Sequence, residues 1–584
     1  MARMATSTSS DTLKPLCDSK GLVHPSSTVN QVPHQATSAP AGAGQVQLGP
    51  AAFQFKIAFT AADASELLQS VTDAVATSLH KGSLMRHSLL TMKSRLPGAL
   101  ATKSRSLAVA VFAILLLLSL WTWKWPAGAA RRPDVPPNAS DGLSIDSQYA
   151  YASAAEAASS MRANPLDKSQ FGEMGKRMQV MKEWILHKEA ANLTPHEHEK
   201  WSELIETVAL SLVPFIQAPG NSADSEPLST LRKRYLPGSR GLVITTGKQR
   251  FRYACHLITS LRHVLGSKLP IQIAYSGEDD LPKAYREFIT SLAPDVSTFD
   301  VTSVFDDRTL DLPHGGWAIK AFAILGSTFE QAILLDADAV FLQRPDVIFE
   351  EHPQYQETGT LLFHDRLLWQ GAFKERHAWW EKQLENTTLS DTIKHSKVYV
   401  EGYAEEGDSG VVAADKSRLD VFVGLLHIAW QNTRDVREAY TYRQGHGDKE
   451  SWWFGFELTG TPYSMEQHYA AITGHVKLDS SSGVPENRVC SFTIAHVDHR
   501  SRLLWFNGSL LKNKEIDSVD FDVPTEWMVD GTWEKGATKQ DMSCMSGAEV
   551  RSIDRTVVKI LQDSVERAQK VDEDLRKSIP EAVP

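Results

Sequence analysis

The residues of this chain best suited to chemistry are Asp336 and Asp338, which close the run Gln331-Ala-Ile-Leu-Leu-Asp-Ala-Asp. Four to eight consecutive apolar residues predict a buried strand of a parallel sheet. Alternate side chains of a strand share a face, so both carboxylates converge as the strand leaves the sheet. Open α/β sheets bind ligands at that end. Two hard oxygen donors there suit Mn²⁺ or Mg²⁺, which keeps positions open for the phosphates of a substrate. A bare Asp-x-Asp also reads as an acidic turn, and its surroundings decide between the two.

Four further groups stand around it in the sequence: Trp317-Ala-Ile-Lys320, Asp408-Ser409-Gly410, Gly447-Asp448-Lys449-Glu450 and His496-Val-Asp498. Lys320, on the helix before the acidic strand, offers a cation to a phosphate or is a solvated helical lysine. Asp448 and Glu450 begin a helix, where acids act on a substrate or complement the helix dipole. His496 ends a strand and can ligate a metal or pack in the core, with His499 the neighbouring alternative.

The elements that must position these groups follow a regular alternation from Gly241. Strands are predicted at 242–246, 271–275 and 296–301, with helices at 250–265, 283–292 and 317–324, the last leading into the acidic strand. Such alternation implies βα units and a mostly parallel sheet. Further strands are predicted at 360–363, 411–414, 492–497 and 503–506, and helices at 418–431 and 449–458. Five residues separate Gly241 from Gly247 and Gln249 follows Lys248, so this segment is not a P-loop. No G-x-G-x-x-G follows a strand, which argues against a dinucleotide fold.

The flanks differ in kind. Residues 1–105 read as a largely disordered cytosolic tail, with 1–84 a suspected gene-model extension because Met85 opens a conventional short tail. Residues 106–125 form an apolar run ending in Trp121, Trp123 and Trp125, a transmembrane signal anchor. Lys81, Arg86, Lys93, Arg95, Lys103 and Arg105 precede it, against Lys124, Arg131 and Arg132 after it, so the chain is expected to be a type II membrane protein. The short span favours a thin membrane early in the secretory route. The Asn-x-Ser/Thr acceptors Asn138, Asn192, Asn386 and Asn507 all follow the span. Three lumenal cysteines allow at most one intramolecular disulfide, and Cys490 with Cys544 is the expected pair.

Residues 126–240 read as a stem and helical accessory region, with Met178, Met181, Trp184, Ile185 and then Leu204, Ile205, Val208, Leu212 at helical spacing. His196-Glu-His-Glu lacks metal-ligand spacing and reads as a solvated face. Residues 546–584 read as an amphipathic helix from Val550 to Val565 and a polar, frayed tail from Lys570. The net charge of −10 carries no global basic signature, so nucleic acid is not an expected partner.

Taken together, the blocks Gly316-Trp-Ala-Ile-Lys-Ala-Phe-Ala-Ile-Leu, Leu334-Leu-Asp-Ala-Asp, Ser409-Gly-Val-Val, Gly447-Asp-Lys-Glu-Ser-Trp-Trp and Leu504-Trp-Phe-Asn-Gly resemble the fungal α-1,3-mannosyltransferases of glycosyltransferase family 71. The resemblance covers roughly 241–514. It implies a GT-A-type, Rossmann-like domain over 241–545 on the lumenal side of the Golgi membrane. The implied reaction is a retaining transfer of mannose from GDP-mannose to a mannose hydroxyl, α-1,3, on N- or O-linked glycans of glycoproteins, with other Golgi mannosyltransferases as partners. A UDP-sugar donor is the alternative within the class, and a non-catalytic Golgi lectin or scaffold the alternative outside it.

Carried onto this chain, the resemblance makes Asp338 the direct ligand of Mn²⁺ or Mg²⁺, Asp336 a ligand or ribose contact, and His496 the late histidine that completes the metal shell. Lys320, Asp336, Asp365 and Asn507 become substrate-binding candidates on the donor side, with Asp365 able to orient the acceptor. Asp408, Asp448 and Glu450 become the catalytic candidates. The family often carries Glu-Ser-Gly where this chain has Asp408-Ser-Gly, so Glu406 is a substitute for the shorter Asp408. Trp452, Trp453 and Trp505 are expected to line a sugar platform or to pack in the core.

Overall fold

The computed structural model describes residues 145–220, 224–478, 482–483 and 485–583, which fall in one compact unit. The expected tail, membrane anchor and first part of the stem, with Asn138, lie outside the described residues. Among the described residues no helix is long and apolar enough to cross a membrane.

The chain enters through three helices, α1 (Ile145–Ala163), α2 (Phe171–Ala190) and α3 (Pro195–Leu212). Their periodic apolar residues are buried as the spacing predicts: Met178, Met181 and Ile185 on α2, Ile205, Val208 and Leu212 on α3. His196 and Glu199 remain in solvent, as expected of a charged face. The helical region is not a detached stem. A Cβ on Gly175 would lie 2.4 Å from the carbonyl oxygen of Leu458, and Gln179 donates to the same oxygen at 2.8 Å. Helix α2 therefore approaches the backbone behind the candidate site closely enough to require glycine at 175.

The alternating segment begins with β1 (Leu236–Thr245), α4 (Phe251–His263), β2 (Ile271–Tyr275), α5 (Lys283–Ser291), β3 (Val296–Asp300), α6 (Ile319–Gly326), β4 (Phe329–Asp336) and β5 (Ala339–Phe341). It continues through β6 (Thr360–His364), β7 (Gly407–Asp415), α7 (Leu419–Gln431) and α8 (Lys449–Leu458). Six strands form one sheet in the order β3-β2-β1-β4-β7-β6. The first four run parallel, and β7 and β6 join antiparallel. The mostly parallel sheet is as expected.

Period-two burial explains β4. Ala332 and Leu334 enter the core built with α6 and α7, while Ile333 and Leu335 enter the core built with α4. Both faces are dry, so the strand reads as an unbroken apolar run. Truncating Leu334 to alanine would cost about 2–5 kcal/mol.

The strand order reverses between β1 and β4, and Thr245 is the register partner of Asp336 at their ends. That junction is the topological switch point, where a crevice opens beyond the strand ends.

After α8 come β10 (Ile494–Val497) and β11 (Leu503–Asn507), which answer to the strands predicted at 492–497 and 503–506, and with them strands the sequence did not reveal: β8 (Ile472–Leu478), β9 (Pro485–Ser491), β12 (Leu511–Asn513), β13 (Asp517–Phe521), β14 (Glu526–Met528), β15 (Thr532–Glu534), β16 (Ser543–Ser546) and β17 (Arg551–Ser552). A second six-stranded sheet has the order β15-β16-β9-β8-β14-β17. Most of its strands are only two to four residues long, too short for an alternation signal. Cys490 and Cys544 are paired across β9 and β16, which bears out the expected disulfide.

The C-terminal expectation is corrected. The last helix, α9, runs Arg555–Ser578, while Arg551 and Ser552 belong to β17. Residues from Lys570 are not frayed: Val571, Leu575, Ile579 and Val583 are buried against the sheet core. Asp572 accepts from Arg252 at 2.8 and 2.5 Å and lies 2.8 Å from His256 Nε2, all three buried. The polar sequence concealed this because a buried ion cluster has the composition of a solvated one.

Candidate functional site

Asp336 ends β4, and Asp338 closes the two-residue turn into β5. The β5 strand pairs with β11, and β11 with β10, so this small antiparallel sheet fixes the direction in which the turn leaves the crevice. The Asp338 carbonyl accepts from Ser509 N at 2.8 Å, which tethers the turn to the segment after β11.

Each acid of the pair faces a lysine. Lys320, the second residue of α6, places Nζ 2.7 Å from Asp336 and 3.5 Å from Asp448, and donates to Ser409 Oγ and its carbonyl at 3.1 and 3.2 Å. It is buried, so it is not a solvated helical lysine. Burial works against its ammonium charge, yet Asp336 and Asp448 hold its pKa above the ordinary lysine value. Asp338 pairs with Lys514, a residue that sequence reasoning missed. Lysine beyond a late strand carries no motif, and 176 residues separate the partners.

The two carboxylates feel each other. Burial raises Asp336 to about 6, Lys320 opposes the rise and the charge of Asp338 adds to it. Burial would raise Asp338 too, but Lys514 outweighs it and holds the carboxyl below the usual range. Asp336 and Asp338 keep 20% and 12% of their side chains exposed, whereas Asp448 and Asp408 keep 1% each and Asp365 and Glu450 2%. A molecule arriving from solvent therefore meets the pair first.

Behind the pair lies a buried polar layer. Asp448, just before α8, accepts from Ser409 Oγ at 3.0 Å and from the Trp452 indole at 2.8 Å. Asp408, at the start of β7, accepts from Gly410 N at 2.9 Å and lies 3.2 Å from His496 Nε2. Burial opposes its charge, but Lys449 and then His496 keep its carboxyl far below the usual range. Lys449 in turn pairs with Asp365, which also holds Arg366 N and Nε at 2.6 and 3.2 Å. Glu450 accepts from the Trp453 indole at 2.6 Å and from Glu406 N at 3.1 Å. Glu406, the proposed substitute for Asp408, is engaged by His364 at 2.8 Å and by Ser396.

Two expectations change. His496 does not join Asp336 and Asp338: its imidazole is spent on Asp408 and stacks on Trp505 at 4.3 Å between ring centres. Among the described residues no group of three or more His, Cys, Asp or Glu side chains could hold a metal ion. The donor set that fits a dication is the acid pair alone, two hard oxygens partly open to solvent, with water and phosphate supplying the rest of a Mg²⁺ or Mn²⁺ shell. His499 lies 5.1 Å from the His352 ring.

Trp452, Trp453 and Trp505 are buried and form no open platform. The indole nitrogens of the first two donate to Asp448 and Glu450, which explains their presence four and three residues after those acids. Asn507 ends β11 beside Gly410, where a Cβ would meet its Nδ2 at 3.1 Å and the Trp505 ring at 2.7 Å. Glycine at 410 lets Trp505 and Asn507 of β11 close over β7.

Residues 239–498 match the family described as "Mannosyltransferase putative". The chain is 26% identical over 346 residues to the α-1,3-mannosyltransferase MNN1 of Saccharomyces cerevisiae, covering 51% of this chain and 43% of that protein. It is 29% identical over 295 residues to the α-1,3-mannosyltransferase MNT3 of the same yeast, covering 44% and 45%. Over this stretch the chain is similar to fungal α-1,3-mannosyltransferases. It spans less than half the length of these two relatives. Among solved structures, the galactosyltransferase LgtC in complex with donor and acceptor sugar analogues aligns with 39% of this chain and 73% of its own, at 12% identity and a TM-score of 0.26. The stretch that matches the family holds Lys320, the acid pair, Asp365, Asp408, Asp448, Glu450 and His496; Asn507 and Lys514 lie just beyond it.

Proposed function

We propose that this chain is a retaining glycosyltransferase that moves mannose from GDP-mannose to a mannose hydroxyl, through an α-1,3 linkage, on N- or O-linked glycans of glycoproteins. It works as a single-pass type II protein of the Golgi membrane with the catalytic domain in the lumen. The observation that carries this reading is the partly exposed Asp336–Asp338 pair at the switch point, faced by Lys320 and Lys514, in a chain similar to mannosyltransferases.

Asp336 and Asp338 would hold Mn²⁺ or Mg²⁺, which would neutralise charge developing on the phosphates of the leaving nucleotide. Lys320 adds a fixed cation beside Asp336. Its charge is locked by Asp336 and Asp448, so it needs no reorganisation during reaction. Lys514 does the same beside Asp338. Asp408 and Asp448 are buried with both oxygens engaged, so they position β7 and α8 around the crevice. These residues support front-face attack assisted by the departing phosphate, because neither acid is free to form a covalent intermediate.

The test is a donor screen of the purified full-length chain with Mn²⁺ and a mannose oligosaccharide, followed by linkage analysis. Transfer from GDP-mannose that EDTA stops and Mn²⁺ restores is the expected result. Transfer from a UDP-sugar alone would change the donor. Chelator-insensitive activity, or none, would refute the reading.

A further inference from the structure

Among the described residues two tryptophans stand exposed, Trp317 and Trp369, each 46% accessible. Most aromatic rings of this chain that the sequence offered for ligand contact are buried, so exposure of these two requires a reason. Both are tied to the Asp365–Lys449 pair: Trp317 packs on Gly447, two residues before Lys449, and Trp369 follows Asp365 by four residues. Trp317 precedes Lys320 by three residues, and its ring rests on His446 at 5.0 Å and near Tyr442 at 6.1 Å. A Cβ on Gly447 would strike the ring at 2.7 Å, and Gly447 has φ of 72°. One face of Trp317 is thus clamped on the backbone that leads into Asp448, and the remainder faces solvent.

Trp369 lies four residues after Asp365 and adopts φ of 51°, a conformation that a bulky residue takes only when its surroundings enforce it. The enforcing contacts are visible. Gly371 N donates to the Gly402 carbonyl at 2.7 Å, Ala404 N to the Leu368 carbonyl at 3.0 Å, and the Lys535 ammonium sits 4.5 Å over the Trp369 ring. Lys535 and His446 lie within electrostatic reach of each other and of Asp365, Lys449 and Glu405. The Asp365–Lys449 ion pair therefore joins the two segments that carry the tryptophans, with His446 against one ring and Lys535 over the other.

We infer that Trp317 and Trp369 form the acceptor subsite, a platform on which a hexopyranose of the acceptor glycan stacks. This deepens the transferase reading and rests on it. A pyranose presents an apolar C–H face and a rim of hydroxyls, and the subsite offers both counterparts: preset aromatic surface and neighbouring donors and acceptors. Its continuity with Lys320 and Asp448 places the bound sugar beside the crevice that takes the nucleotide. Preset rings lose little conformational freedom on binding, which suits a ligand that is strongly hydrated when free.

The test uses the full-length chain and the variants Trp317→Ala, Trp369→Ala and Trp317→Phe, with melting temperature as the folding control. The acceptor KM for a mannose trisaccharide is expected to rise about tenfold in each alanine variant while the GDP-mannose KM stays unchanged, and Trp317→Phe should recover most of the loss. Intrinsic tryptophan fluorescence, titrated with the same trisaccharide, reads the platform without any turnover and should lose its response in the double alanine variant. Unchanged acceptor KM in the double variant overturns the inference and leaves the transferase reading standing. Trisaccharide binding by a wild-type chain that transfers nothing supports the platform and refutes the transferase reading. A wild-type chain that shows no fluorescence response overturns the platform.

Discussion

Lys320 Nζ stands 2.7 Å from Asp336 and 3.5 Å from Asp448, so one buried ammonium joins the end of β4 to the start of α8. Removing it leaves two acids facing each other without a counter-charge. Lys320→Met should lower stability by about 3–5 kcal/mol, read as a drop in denaturant midpoint, besides its effect on transfer. A variant with wild-type stability would mean that the acids find other partners.

Asp338 is a different case because it is partly open to solvent and its partner Lys514 is 20% exposed. Asp338→Asn should shift stability by no more than about 1 kcal/mol. Transfer should fall by at least about a hundredfold, the loss typical of a preset charge at a reacting centre. Near-normal turnover would remove Asp338 from the site.

Glu450 supplies a pH signature. Burial, with the charge of Glu405 next, pushes its carboxyl up to about 8 against the hydrogen bond from Trp453. The unfolded chain releases this proton near about 4.3. Between those values only the folded chain holds it, so its contribution to stability is complete on the acid side and is lost as pH rises to about 8. Melting temperatures of wild type and Glu450→Gln across that window should converge at the acid end, with the variant showing the flatter profile. Parallel profiles would contradict the assignment.

Asp572 ties the C-terminal helix to α4 through Arg252 and His256. Asp572→Ala should destabilise the domain by about 3–5 kcal/mol because a buried guanidinium loses its counter-charge. Truncation at Lys570 should be at least as damaging. Wild-type melting of the truncated chain would restore the frayed-tail reading.

Asn192 and Asn386 are exposed in loops, whereas Asn507 ends β11 against Gly410. Peptide mapping after enzymatic deglycosylation should find modification at the first two and not at Asn507. Glycan on Asn507 would require β11 to be accessible before the sheet closes.

How much was legible depends on the range of the signal. The alternation from Gly241 and the acid pair were readable because a doubly buried strand is apolar along its whole length and its end is marked by charge. The second sheet was not, because two- to four-residue strands such as β15 and β17 carry no periodicity. Tryptophan composition could not separate a platform from a core: Trp452 and Trp453 turned inward to hold acids, while Trp317 and Trp369 stayed in solvent.

Local order alone therefore determined which strand ends in Asp336 and Asp338 and that the carboxylates share a face, since pleat and burial act between neighbours in the chain. The partners were decided by the fold. Lys514 meets Asp338 across 176 residues, His496 meets Asp408 across 88, and Arg252 meets Asp572 across 320. A charge does not reveal its counter-charge until the chain has closed the loop between them, because ion pairing acts through space and leaves no repeat in the sequence.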